Sequence, residues 1–263
     1  MDKKLAHYSQ LPHPQHVFIL LLITFGLVNI IPILLETTGL LSLVSRWQLL
    51  VAEILIILPT LGFIIIRKYS FSAVFRLKKV DNRLLLLAAA MAPLLTILFE
   101  EIDRQLQYIV TMPADLAETY YEAFAVNSVS DVIFLFITVV VLAGFFEEII
   151  FRGLLQKTLE SYLDVTRAVL VSAFVFALMH GNPFAVVQIV LLGVLIGVLV
   201  WRADSVWPAI VIHAMHNLLS LVLINSKSMA NLIEWHGHVN PLILFFCSFF
   251  LYLCIKVFYR FTE

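Results

Sequence analysis

Residues 132–153 read VIFLFITVVVLAGFFEEIIFRG, and the fold is argued outward from that stretch. From Val132 to Phe146 no residue is charged, and then Glu147, Glu148 and Arg152 arrive within the same apolar run. About 20 helical residues cross the roughly 30 Å hydrocarbon core of a bilayer, so the run is long enough to span. Ionisable side chains are costly at that depth, and a span that keeps them generally uses them.

The rest of the chain has the same character. It is 62% hydrophobic and 13% charged, where a soluble domain is roughly a quarter charged. Apolar runs recur at about 17–35, 47–66, 84–99 (its far end left open), 132–151, 168–182, 184–201, 205–224 and 239–258. Alternating ten-residue strands are absent, which argues against a membrane β-barrel. The expected fold is an all-α polytopic membrane bundle of about eight transmembrane helices. The first run follows Lys3 and Lys4 but continues to Glu36 without a small-x-small cleavage pattern, so it is expected to be a retained helix. A net charge of −1 gives no sign of nucleic-acid binding. No Cys-a-a-X box closes the sequence at Arg260-Phe261-Thr262-Glu263, so the chain is not expected to be prenylated itself. Cys247 and Cys254 share a face of the last run and are read as packing residues.

Basic residues collect in alternate loops, which sets orientation. With the N-terminus inside, every Lys and Arg except Arg46, Arg104 and Lys227 falls on the cytoplasmic side. An even number of spans also returns the C-terminus there, so a multi-pass protein of the bacterial inner membrane with both termini cytoplasmic is expected. The basic segment 67–83 is expected to lie on the anionic leaflet as a topology determinant. The acidic connection 100–131 is expected to form an amphipathic cap. It also separates a helical half, 1–131, from a core, 132–224, that carries every polar motif, followed by a last helix in 225–263.

Three motifs stand on the core. Glu148 and Arg152, four apart, share a helix face, while Glu147 is turned about 100° away. One carboxylate is thus free to act as a base while the other is ion-paired. Phe176 and His180 lie one turn apart, and Gly181, Asn182 and Pro183 break the helix just after them. His213 and Asn217 share a face, with His216 to one side as a bystander and Pro208 one turn earlier, where it is expected to free a backbone carbonyl. Depth is compatible with convergence in or just above the cytoplasmic half of the membrane, where the peptide bond is expected to be cut: Glu147 is about 7 Å from Arg152 along its helix, His213 about 12 Å from Ser205 and His180 about 20 Å from Arg167. A second Glu pair, Glu100-Glu101 with Arg104, lies at the end of its run among other acids and has no evident histidine partner; it is set aside. Gly193 and Gly197 form a small-xxx-small pattern that packs helices within the bundle. Glu53 is one more intramembrane acid, and its role is open.

Together, Glu147-Glu148-x-x-x-Arg152, Phe176-x-x-x-His180 and His213-x-x-x-Asn217 resemble the CAAX protease and bacteriocin-processing (Abi) family, which includes the type II CAAX prenyl endopeptidases. The resemblance covers about residues 132–222. It implies an intramembrane glutamate endopeptidase, a hydrolase without a cofactor. Glu147 and His180 would polarise the attacking water, His213 and Asn217 would stabilise the oxyanion, and Glu148, Arg152 and Phe176 would support them. A zinc enzyme with Glu147, His180 and His213 as ligands is the alternative within the same class, although no His-Glu-x-x-His motif is present. A non-catalytic transporter, immunity or scaffold protein is the alternative outside it. The expected partners are the lipid bilayer and a membrane-associated protein or peptide substrate.

Overall fold

The computed structural model describes residues 11–39 and 46–263; Lys3 and Lys4 of the charge pattern lie outside them. Helix α1 runs Pro14–Thr37, α2 Trp47–Ile66, α3 Phe71–Val74, α4 Asn82–Ile109 and α5 Ala114–Phe124. The long helix α6 runs Val129–Glu160, followed by α7 Val165–Met179, α8 Val186–Ala203, α9 Trp207–Asn225 and α10 Lys227–Ile233. A two-residue hairpin, β1 Glu234–Trp235 and β2 His238–Val239, precedes α11 Pro241–Phe261. The fold is the expected all-α polytopic bundle.

Helix starts follow local chemistry. Asp81, Ser128, Asp164 and Asn240 each accept a backbone N–H from the first turn of α4, α6, α7 and α11, which satisfies donors that a helix end leaves open. Pro208 stands in the first turn of α9. There its missing N–H breaks no ladder bond, so it starts the helix and frees no carbonyl within it, contrary to expectation.

Among the described residues, seven helices are long and apolar enough to cross a membrane: α1, α2, α4, α6, α8, α9 and α11. The eighth expected span is α7, which has 15 residues and so a length of about 22 Å. Asp164 caps its start, and Gly181, at φ +61°, turns the chain just past its end. Helix α4 runs on past residue 99, the extension left open for that run. Arg104 bonds to Glu100, Gln105 to Glu101 and Gln107 to Asp103, all at i,i+4, and these pairs carry the helix on to Ile109. Glu101 also accepts bonds from the Val239 N–H and from His238 of the hairpin, at 2.7 and 3.1 Å. The second Glu pair therefore does have a histidine neighbour, and it stitches α4 to the hairpin.

The centre of the molecule is α6, where every residue from Glu147 to Gln156 is buried. Two stretches of this helix, Phe136–Ala143 and Ile149–Gln156, wind as π-helix around an α-helical Gly144–Glu148. Around it, α7 and α8 pair as a hairpin, α9 packs on α4 and α6, and α11 closes against α4. The glycines of α8 serve packing inside the bundle: a Cβ on Gly193 would lie 3.0 Å from Ala173 Cβ, and one on Gly197 2.8 Å from Gln156 Oε1. The outward faces carry Leu22, Ile66, Leu86 and Phe245 exposed, the surface that hydrocarbon would cover.

The basic segment 67–83 is not simply laid on a leaflet. Arg67, Lys68, Lys78 and Lys79 are exposed, but Val74, Phe75 and Arg76 are buried. Arg76 pairs with Glu160 and Asp204, and the Val206 N–H bonds to its carbonyl. Burial opposes ionisation of Asp204, but Lys157, Arg76 and Lys78 outweigh it and hold the carboxyl below its usual range. Gly153 admits the Phe75 backbone, which would stand 2.8 Å from a Cβ there. The segment is a strap fastened to the end of α6.

Candidate active site

Helix α6 supplies two adjacent carboxylates to two different settings. Glu148 is 0% exposed, and its Oε1 accepts from Arg152 Nη1 at 2.8 Å. The same oxygen meets Nδ1 of His213, on α9, at 2.8 Å. A carboxylate oxygen in an ion pair can only accept, so His213 donates from Nδ1 and turns Nε2 toward Glu147. The Arg152 guanidinium, 1% exposed, also lies over the Phe176 ring at 4.1 Å, a cation–π contact. Its Nη2 is 3.1 Å from where a Cβ on Gly193 would stand, so that glycine keeps room for it.

Glu147 points into a different space. Its Oε2 lies 3.8 Å from Nε2 of His213 and 3.8 Å from Nε2 of His180. Both gaps exceed a hydrogen bond. His180 caps the end of α7, and its Nδ1 bonds to the Phe176 carbonyl at 2.8 Å. A carbonyl also only accepts, so in the neutral ring Nε2 is left as an acceptor facing Glu147. The edge-on Phe176 ring lies 4.5 Å from the His180 ring and 6.0 Å from that of His213, so one aromatic plate spaces both imidazoles.

Six of the residues singled out in the sequence thus gather in one cluster: Glu147, Glu148, Arg152, Phe176, His180 and His213. Asn217 is one turn from His213, but its Nδ2 donates to the Val139 carbonyl in the first π stretch of α6 at 2.8 Å. One amide N–H is therefore used in holding α9 to α6, and one is left. His216 turns to α4, with Nδ1 3.0 Å from Thr96 Oγ1 and its ring edge-on to Phe99. Sequence patterns gave no signal for the Glu148–His213 bond, the Phe176 carbonyl or the Val139 carbonyl, because each joins groups through the rotation of helices about one another or through the main chain.

A buried Glu pair and two imidazoles thus meet at the centre of the helical bundle. Residues 129–219 match the family model described as type II CAAX prenyl endopeptidase Rce1-like. That match supports the CAAX protease family and, with it, an intramembrane endopeptidase in general. No curated protein and no solved structure matches it.

Proposed function

We propose that this protein hydrolyses a peptide bond of a membrane-associated protein or peptide, using a water held by Glu147 and His180. The observation that carries the proposal is the facing of Glu147 Oε2 by two imidazole Nε2 atoms at 3.8 Å each, with both Nδ1 atoms tied down. A water lodged there donates one proton to Glu147 and the other to the neutral His180, which aims its lone pair outward. Glu147 then takes a proton as the water oxygen bonds to the carbonyl carbon, and later returns it to the leaving amine as the C–N bond breaks. His213, flanked by Glu147 and Glu148, serves as an imidazolium whose Nε2–H donates to the oxyanion, together with the remaining Asn217 N–H. Glu148 and Arg152 hold His213 in that orientation.

An apolar groove of ≈ 290 Å³ between α6 and α9, lined by Leu135, Phe136, Leu218 and Val222, lies one turn from Val139 and Asn217. It supports a substrate segment that approaches from the lipid. The charge pattern supports cytoplasmic termini, which requires α7 to count as a crossing. Reporter fusions at each end test this, and a C-terminus reporting from the far side would leave an odd number of crossings.

The deciding experiment compares membrane peptidomes of cells carrying the wild type and Glu147→Gln. Peptides released only by the wild type are expected; identical peptidomes, with the variant keeping the biological phenotype, would replace the peptidase with a non-catalytic transporter or scaffold. Metal-free chemistry is proposed because Asn217, one turn from His213, is a poor zinc ligand and a good oxyanion donor. Turnover is expected to survive exhaustive chelation. One zinc per chain, lost together with activity and restored with it, would make Glu147, His180 and His213 its ligands.

A further inference from the structure

Glu53 lies on α2, outside the matched segment, and no step above uses it. It is 8% exposed, and its Oε2 has no hydrogen-bond partner. Helix α2 packs directly on the Gly144–Glu148 stretch of α6, whose Glu147 Oε2 is likewise buried without a hydrogen-bond partner. Helix α1, packed on α2 from the other side, has no ionisable residue between His16 and Glu36, and the Phe136–Ala143 stretch of α6 has none. Among the described residues no cation pairs with Glu53. An ionised carboxylate is expensive in such a place, and a second negative charge beside Glu147 makes it more so. Leucine would fill the position without either cost.

We propose that Glu53 is a positioning residue of the Glu147 site. Carried as the neutral acid, it donates a hydrogen bond to the Glu147 carboxylate, directly or through one water. That bond fixes the carboxylate in the orientation that turns Oε2 to the two imidazoles. No bond is made or broken at Glu53, and its proton stays in place through turnover. The proposal rests on Glu147 as the base of the peptidase.

The test uses the full chain in bilayer nanodiscs and a peptide whose release distinguishes wild type from Glu147→Gln. Glu53→Leu should lower kcat by roughly 10- to 100-fold, the loss expected when a charged group gives up a hydrogen bond. KM should hold, and thermal stability should stay level or rise because a buried polar group has gone. A purely structural glutamate would lower stability instead. Glu53→Gln, which keeps an N–H donor, should recover a large part of the lost turnover. Wild-type kcat in Glu53→Leu, or a Gln variant no better than the Leu one, would overturn the proposal. Infrared spectra add a readout independent of cleavage: a carboxylic-acid band absent from Glu53→Gln and displaced in Glu147→Gln. A band missing from the wild type, or unmoved by Glu147→Gln, refutes the contact even if the peptidase stands. If wild type and Glu147→Gln release the same peptides, the peptidase fails and this role for Glu53 falls with it.

Discussion

One oxygen, Glu148 Oε1, serves two partners at 2.8 Å each, Arg152 on its own helix and His213 on α9. Taking its charge away strands a guanidinium that is 1% exposed. Breaking a buried pair from one side typically costs about 3–5 kcal/mol. Glu148→Gln should therefore destabilise the protein by about that much, read as an earlier unfolding transition in detergent. Glu147→Gln should leave the transition almost unmoved while removing general-base catalysis worth roughly 100- to 10,000-fold. Equal losses of stability in the two variants would contradict the separate roles. The partition of Glu147 from Glu148 was legible in the sequence, because neighbours on a helix point about 100° apart. That His213 binds Glu148 was not, because periodicity assigns a residue to a face but leaves the rotation of one helix against the next undetermined.

At the scale of elements, the helix that carries the glutamates is the least regular in the molecule. The run 132–151 was readable as a span, but nothing in its composition announced two π stretches or a helix continuing to Glu160. π segments are uncommon and cluster at functional sites; here one presents the Val139 carbonyl to Asn217 and the other carries Arg152. The second stretch ends where the strap is fastened, and the strap was misread for a simple reason. Its lysines and arginines count alike in a topology rule, yet Arg76 is buried against Glu160 while Lys79 faces outward. Arg76→Ala should release segment 67–83, exposing it to trypsin in the folded protein at concentrations that spare the wild type. Gly153→Ala should do the same, since its Cβ would meet the Phe75 backbone at 2.8 Å. A strap equally resistant in both variants would mean that the ion pairs and the close approach do not hold it.

For the molecule as a whole, the bundle and the neighbourhood of its site follow from hydropathy and three motifs. Hydropathy also promised an eighth full span where the structure has α7, of 15 residues. The apolar letters stop at Met179, before His180-Gly181-Asn182-Pro183, and the backbone turns at Gly181 where that break was expected. At about 22 Å, α7 falls about 8 Å short of an ordinary hydrocarbon core, and it carries His180 at its end. Lipid beside a short helix must compress to meet it, at a cost of fractions of a kcal/mol for each ångström of hydrophobic mismatch. On the proposed function, acyl chains thinned beside His180 would shorten the apolar layer that water and a scissile bond must cross. The lipid would in this sense be a tunable wall of the site. Reconstituted with phosphatidylcholines of increasing chain length, the enzyme should turn over fastest in the thinnest bilayer that keeps it folded and slow steadily as the chains lengthen. A rate indifferent to chain length would show that the protein, and not the membrane, sets the passage to His180.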